Sequence, residues 1–145
     1  MKRLIFALSG AFATLVAVPA LALSEQARWF TLDNGMDVIL IEHHRAPAVH
    51  ARVVYKVGAL DEQPGQYGIA HVLEHMMFRG SPEHKGRSLA PGEYDGALGR
   101  IGATDNASTS ANVTSYYGVM GSEHLELFLE LNAILMNGVD AESDQ

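Results

Sequence analysis

Apolar positions along the chain change period several times, and each change marks an expected element. Residues 4–18 are almost continuously apolar behind a basic start at Lys2 and Arg3, and Pro19 and the small-x-small triplet Ala20-Leu21-Ala22 follow. That order of basic start, apolar run and small-residue site is the pattern of a secretory signal peptide. The run is short of the roughly 20 residues a spanning helix needs. Residues 1–22 are therefore expected to be removed after Ala22, and the product to be exported, periplasmic or secreted, with no stable membrane span.

The rest of the chain reads as short strands and helices. "WFTLDNGMDVILIEH" (29–43) predicts two strands joined at Asn34-Gly35, a dipeptide that accepts positive φ in a tight turn. Val38, Ile39, Leu40 and Ile41 read as a strand buried on both faces. After the link Arg45-Ala46-Pro47, "AVHARVVYKVG" (48–58) predicts a further strand, and "ALDEQPGQYG" (59–68) is turn chemistry around Pro64 and Gly65. A helix is expected over 67–78, with Arg79 in its last turn and Gly80 as its stop. Ile69, Ala70, Val72, Leu73, Met76, Met77 and Phe78 make it read as largely buried. Residues 80–92 are expected to be loop, and 92–102 a weaker helix because of its glycines. Two antiparallel strands follow at about 103–110 and 112–120, rich in Thr, Ser, Val and Tyr. The last helix is expected to open with Ser122 as cap and to carry Leu125, Phe128, Leu129, Asn132 and Leu135 on one stripe. It should end at Asn137-Gly138. The sum is an α+β class in the order ββααββα, an antiparallel-rich sheet packed with helices, over 23–145.

Composition narrows the chemistry. With 145 residues and 48% of them hydrophobic, the chain has room for one domain at most, with a core. It contains no cysteine, which excludes disulfides, thiol catalysis and a lipid-anchored amino terminus. Without Lys2 and Arg3 it keeps 8 basic against 17 acidic side chains, a net charge of −9 with histidines neutral. Such a surface repels phosphate backbones and anionic lipid, so nucleic acid is a poor partner.

The chemistry gathers at "HVLEH", residues 71–75. At about 100° per residue, His71 and His75 sit about 40° apart on the helix surface, one turn from each other, so both imidazoles can reach one ion. Glu74 lies about 80° to one side of their bisector, the mirror placement of the glutamate in H-E-x-x-H. Zinc takes imidazole nitrogens and keeps an open position for water, whose pKa it lowers towards about 7. A flanking carboxylate can then take the proton as the water attacks a carbonyl, and Glu74 is placed for that role. The bland alternative is two surface histidines paired with a glutamate. Three polar groups on an otherwise apolar helix need partners, which favours the metal.

"GIAHVLEHMMF", with "VGALDE" (57–62) upstream and "GATDNA" (102–107) downstream, resembles the inverzincin, or pitrilysin-type (M16-type), zinc peptidases. The resemblance runs from about 29 to 138. It implies Zn2+ held by His71 and His75, Glu74 as general base, and a metallopeptidase amino-terminal domain. It also implies that Asn106 and Ala107 lie on the strand that receives a peptide or unfolded polypeptide substrate as an added strand. Family members carry a third ligand, a glutamate roughly 75 residues beyond the second histidine. That count runs past Gln145, as does the second, homologous domain or subunit that would close over the substrate. Within the chain, Glu123, Glu126 and Glu130 read as the solvated face of the last helix, and Glu142 lies in a polar tail. His84 reads as an exposed loop residue, and His43, His44, His50 and His124 share no spacing with the motif.

The expectation is thus an incomplete piece of an exported zinc-dependent endopeptidase, inactive alone. The alternative is a non-catalytic peptide- or partner-binding subunit of the same family, which the intact motif weighs against. S-ribosylhomocysteine lyases share H-x-x-E-H, but their chemistry calls on a cysteine that this chain lacks.

Overall fold

The computed structural model describes residues 27–139. The leader expected at 1–22 and Glu142 lie outside them. The chain divides into two compact units, Met1–His44 and Arg45–Gln145.

In the first unit β1 (Ala27–Thr31) pairs antiparallel with β2 (Asp37–Ile41), in register from Ala27 opposite Ile41 to Thr31 opposite Asp37. The connection is looser than a two-residue turn. Gly35 N–H donates to the Leu32 carbonyl (2.9 Å), and of the dipeptide only Gly35 takes a positive φ, +83°. Asn34 instead accepts the Met36 N–H on its side-chain oxygen (3.1 Å). This is the three-residue hairpin loop with glycine in the left-handed position. The expectation of a strand buried on both faces is corrected: Ile39 and Ile41 are each more than half exposed. A two-stranded ribbon has no second layer of its own to cover either face.

The second unit is built on a three-stranded antiparallel sheet, with β3 (Ala48–Tyr55) at one edge, β7 (Thr114–Gly121) in the middle and β6 (Thr104–Thr109) at the other edge. Val49, Ala51, Val53 and Tyr55 alternate with exposed residues along β3 and face the core. Between β3 and β6 the chain forms a 3-10 turn (Ala59–Asp61), α1 (Ile69–Met77), a hairpin of β4 (Ser81–His84) and β5 (Arg87–Leu89), and α2 (Glu93–Arg100). After β7, a second 3-10 turn (Ser122–His124) leads into α3 (Leu125–Leu135). Tyr94, Leu98, Tyr116, Phe128, Leu131 and Leu135 form the centre of the core.

The α+β class holds, and four further local expectations are corrected. Residues 80–92 contain the β4–β5 hairpin, and three strands rather than two precede α1, so the observed order is βββαββαββα. Lys85 and Gly86 both have positive φ, +52° and +76°, the signature of a two-residue turn matched to strand twist. Ser122 does not cap α3, because the 3-10 turn intervenes and α3 starts after His124 with no side-chain cap. Its inward stripe is Phe128, Leu131, Asn132 and Leu135, whereas Leu129 is 52% exposed. Finally, α1 is not largely buried: only Ala70, Glu74 and Met77 are, while Ile69, Val72 and Leu73 are exposed. Among the described residues no helix is long and apolar enough to cross a membrane.

Candidate metal centre

The site is positioned by backbone contacts that begin at "VGALDE". Ala59 N–H donates to the Ser110 carbonyl (3.0 Å) and Leu60 N–H to the Ala111 carbonyl (2.7 Å), so this segment docks on the loop between β6 and β7. A Cβ on Gly58 would stand 2.4 Å from the Ser110 carbonyl oxygen, so only glycine permits the approach. The Val57 carbonyl accepts the Thr114 hydroxyl (3.0 Å), and Gly58 N–H donates to the Asp61 carboxylate (2.8 Å).

The next residue of the block, Glu62, holds the start of α1. Its two carboxylate oxygens accept N–H groups from Gly68 (2.8 Å) and Ala70 (2.9 Å). Gly68 stands at the N-cap and has no side chain with which to serve these donors. A remote carboxylate therefore satisfies amides that the helix leaves orphaned and places negative charge at the positive end of its dipole. Sequence reading attached no role to Glu62 or Gly58. The signal lay in their sequence block, whose meaning is contact with residues about 8 and 50 positions later.

One turn into α1, His71 and His75 face each other through their Nε2 atoms, 3.2 Å apart, with ring centroids 4.8 Å apart. Both side chains are exposed. Two nitrogens at that separation, each at the usual zinc–imidazole distance of about 2.05 Å, subtend about 103° at a common ion, close to the tetrahedral angle. The pair thus fits zinc. Among the described residues no group of three or more His, Asp or Glu side chains gathers to hold a metal. Glu130 is paired with Arg87 (3.0 Å) and Glu123 lies beside His124 (3.8 Å). Glu126, His84 and His50 are exposed, His50 beside the Tyr117 ring, and His43 and His44 follow β2, with His44 near Glu42 (3.6 Å).

Glu74 departs from its neighbours by being buried, 7% exposed. Its Oε2 accepts a hydrogen bond from the hydroxyl of Thr109 at the end of β6. Sequence reading missed Thr109, which carries no spacing relation to the motif. Behind α1, Ala70 and Met77 border a small apolar pocket of about 130 Å³ with Tyr55 and Tyr116. Burial pushes the phenol pKa of both tyrosines up, so this wall is neutral.

Asn106 and Ala107 lie on β6, opposite Tyr117 and Tyr116 of β7. Among the described residues β6 pairs with β7 alone, which leaves its other side open. The Ala107 N–H is taken by the Asn106 side-chain oxygen (2.8 Å).

This fold, with paired imidazoles and a carboxylate on one helix, is that of a peptidase family. Residues 37–138 match the insulinase family, peptidase family M16, and the chain belongs to it. It is 34% identical over 116 residues to the zinc protease PqqE of Helicobacter pylori, covering 79% of this chain and 25% of that protein. Among solved structures it resembles a protease from Helicobacter pylori, with a TM-score of 0.73 and 34% identity, covering 81% of this chain and 27% of that one. It also resembles pitrilysin, with a TM-score of 0.67 and 29% identity, covering 77% and 11%. The chain spans about a quarter of the length of the first two.

Proposed function

We propose that this chain carries the zinc-binding and proton-abstracting part of an exported zinc-dependent endopeptidase. The observation that carries the reading is the 3.2 Å convergence of the His71 and His75 Nε2 atoms beside the buried Glu74 carboxylate. His71 and His75 hold the metal, and the third ligand is a glutamate carboxyl-terminal to residue 145 in a longer protein. When bound, zinc supplies the Lewis acidity that polarises a scissile carbonyl and acidifies water. Glu74 takes a proton from the attacking water as its oxygen bonds to the carbonyl carbon, and returns it to the amide nitrogen as the C–N bond breaks. The open side of β6 at Asn106 and Ala107 receives the substrate backbone as an added strand, with the Asn106 side chain yielding the Ala107 N–H to it. Its substrates are peptides or unfolded polypeptides, and a homologous domain or subunit closes over them. Cleavage after Ala22 delivers the protein to the periplasm or the medium.

Replacing Glu74 with Gln in the full-length protein tests the assignment. Peptide hydrolysis is expected to fall by at least about a thousandfold with one zinc still bound per site. Undiminished cleavage would end the general-base role, and absence of zinc in the wild-type protein would favour a non-catalytic binding subunit.

A further inference from the structure

A buried carboxylate on a three-torsion side chain can point in several directions, and only some serve a proton transfer. What fixes Glu74 lies 35 residues away in sequence. Thr109 occupies the last rung of the β6–β7 ladder, opposite Thr114. The loop beyond that rung is closed by Ser110 N–H and Ser110 O–H, both donating to the Val113 carbonyl (2.9 and 3.1 Å). Its outer surface is pinned by the Ala59 and Leu60 amides. The Thr109 backbone is therefore held from two sides, independently of α1.

The hydroxyls also form an ordered series. Thr114 gives its proton to the Val57 carbonyl (3.0 Å), and its oxygen stands 3.5 Å from the Thr109 oxygen. Thr109 in turn gives its single proton to Glu74 Oε2. A hydroxyl-to-carboxylate bond is charge-assisted, among the stronger bonds a side chain makes.

We infer that Thr109 is the positioning residue for Glu74: its hydroxyl anchors Oε2 and leaves Oε1 as the oxygen that takes the proton. The inference rests on the general-base reading above. A hydroxyl that merely satisfied a buried carboxylate would affect folding or metal retention, whereas a positioning hydroxyl affects turnover while leaving both in place.

The test compares Thr109→Val, which keeps the branched shape and removes the donor, with Thr109→Ser, which keeps the donor, in the full-length protein. T109V is expected to lower kcat about 10- to 100-fold with KM and zinc content within about twofold of wild type, and T109S to stay within about threefold. A crystal structure of T109V should show the Glu74 carboxylate turned away from β6. A T109V kcat within twofold of wild type, a T109S defect equal to that of T109V, or zinc lost in step with activity would each overturn the inference. Should T109V fail to fold, Thr109→Ala carries the same expectations. Glu74→Gln separates the two readings. If E74Q is inactive and T109V is not impaired, only positioning fails; if E74Q stays active, the general-base reading fails first.

Discussion

Helices α1 and α3 lie within one compact unit and are held there by different forces. The inner side of α3 is an apolar stripe interrupted only by Asn132, in which Phe128 is 0% and Leu135 3% exposed. Of α1 only Ala70, Glu74 and Met77 are buried, and although Met77 joins the core, the directional restraints are Glu62, which accepts the Gly68 and Ala70 amides, and the Thr109 hydroxyl, which donates to Glu74. Burial is non-directional and tolerates small slips of a helix along its stripe. Hydrogen bonds to one carboxylate fix both a position and a rotation. Helix α1 brings two imidazole nitrogens to within 3.2 Å of each other, and it has the second kind of restraint at its start and at its middle.

The largest effect should come from the apolar side of this comparison. Phe128→Ala is expected to destabilise the protein by about 3–5 kcal/mol in denaturant unfolding, because the ring is fully buried against Gly118 and its loss leaves a cavity. A loss below about 1 kcal/mol would mean that α3 is not a tightly packed wall of the core. Gly58→Ala should come next. Its new methyl meets the Ser110 carbonyl oxygen at 2.4 Å, and backbone must move at a cost of about 1–3 kcal/mol. Because the same segment leads into Glu62, zinc affinity in a chelator competition should weaken as well. A variant of normal stability and normal zinc affinity would show that this docking does not position α1.

Glu62→Ala separates the two forces more finely. Removing an N-terminal acceptor costs about 1 kcal/mol of stability. The same change should loosen the aim of His71 and His75, so zinc affinity is expected to fall about tenfold while the apolar core stays intact. Equal zinc affinity in E62A and wild type would leave α1 positioned by its three buried residues after all.

The two helices also differed in how readable they were. The turn spacing of His71 and His75 follows from helix geometry alone, and the structure places their Nε2 atoms face to face. The apolar residues around them misled, because Ile69, Val72 and Leu73 have the composition of a buried helix and lie on its exposed faces. Composition reports what could be buried and periodicity reports on which side. The latter, read along α1, has Ala70, Glu74 and Met77 as its inward row. In α3 the stripe was right at Phe128, Asn132 and Leu135 and wrong at Leu129, which at about 100° per residue falls about 100° from Phe128, on the side away from Leu131. The β4–β5 hairpin was legible in principle from Lys85-Gly86, a two-residue turn whose glycine accepts positive φ. Thr109 was not legible. A threonine in a strand rich in Thr and Ser is ordinary, and only the fold brings it to Glu74.

A last and smaller effect distinguishes a carboxylate that orients something from one that is only desolvated. Asp105 lies on β6 four residues before Thr109, half-buried and facing the core side of the sheet. Burial raises its pKa, Asp95 raises it further, and its backbone hydrogen bond opposes both. A raised carboxyl pKa means that the folded state favours the protonated form. The stabilisation is complete below the ordinary carboxylate pKa and is lost as pH rises through the raised value. Asp105→Asn mimics the neutral form at every pH. In metal-free protein, where loss of a bound metal at low pH cannot contribute, the melting temperature of D105N relative to wild type is therefore expected to rise between about pH 3 and about pH 7. A difference that stays constant across that range would mean that burial does not disfavour the Asp105 carboxylate, and one that falls would mean that a partner holds its charged form; either result would end the reading of Asp105 as a merely buried carboxylate.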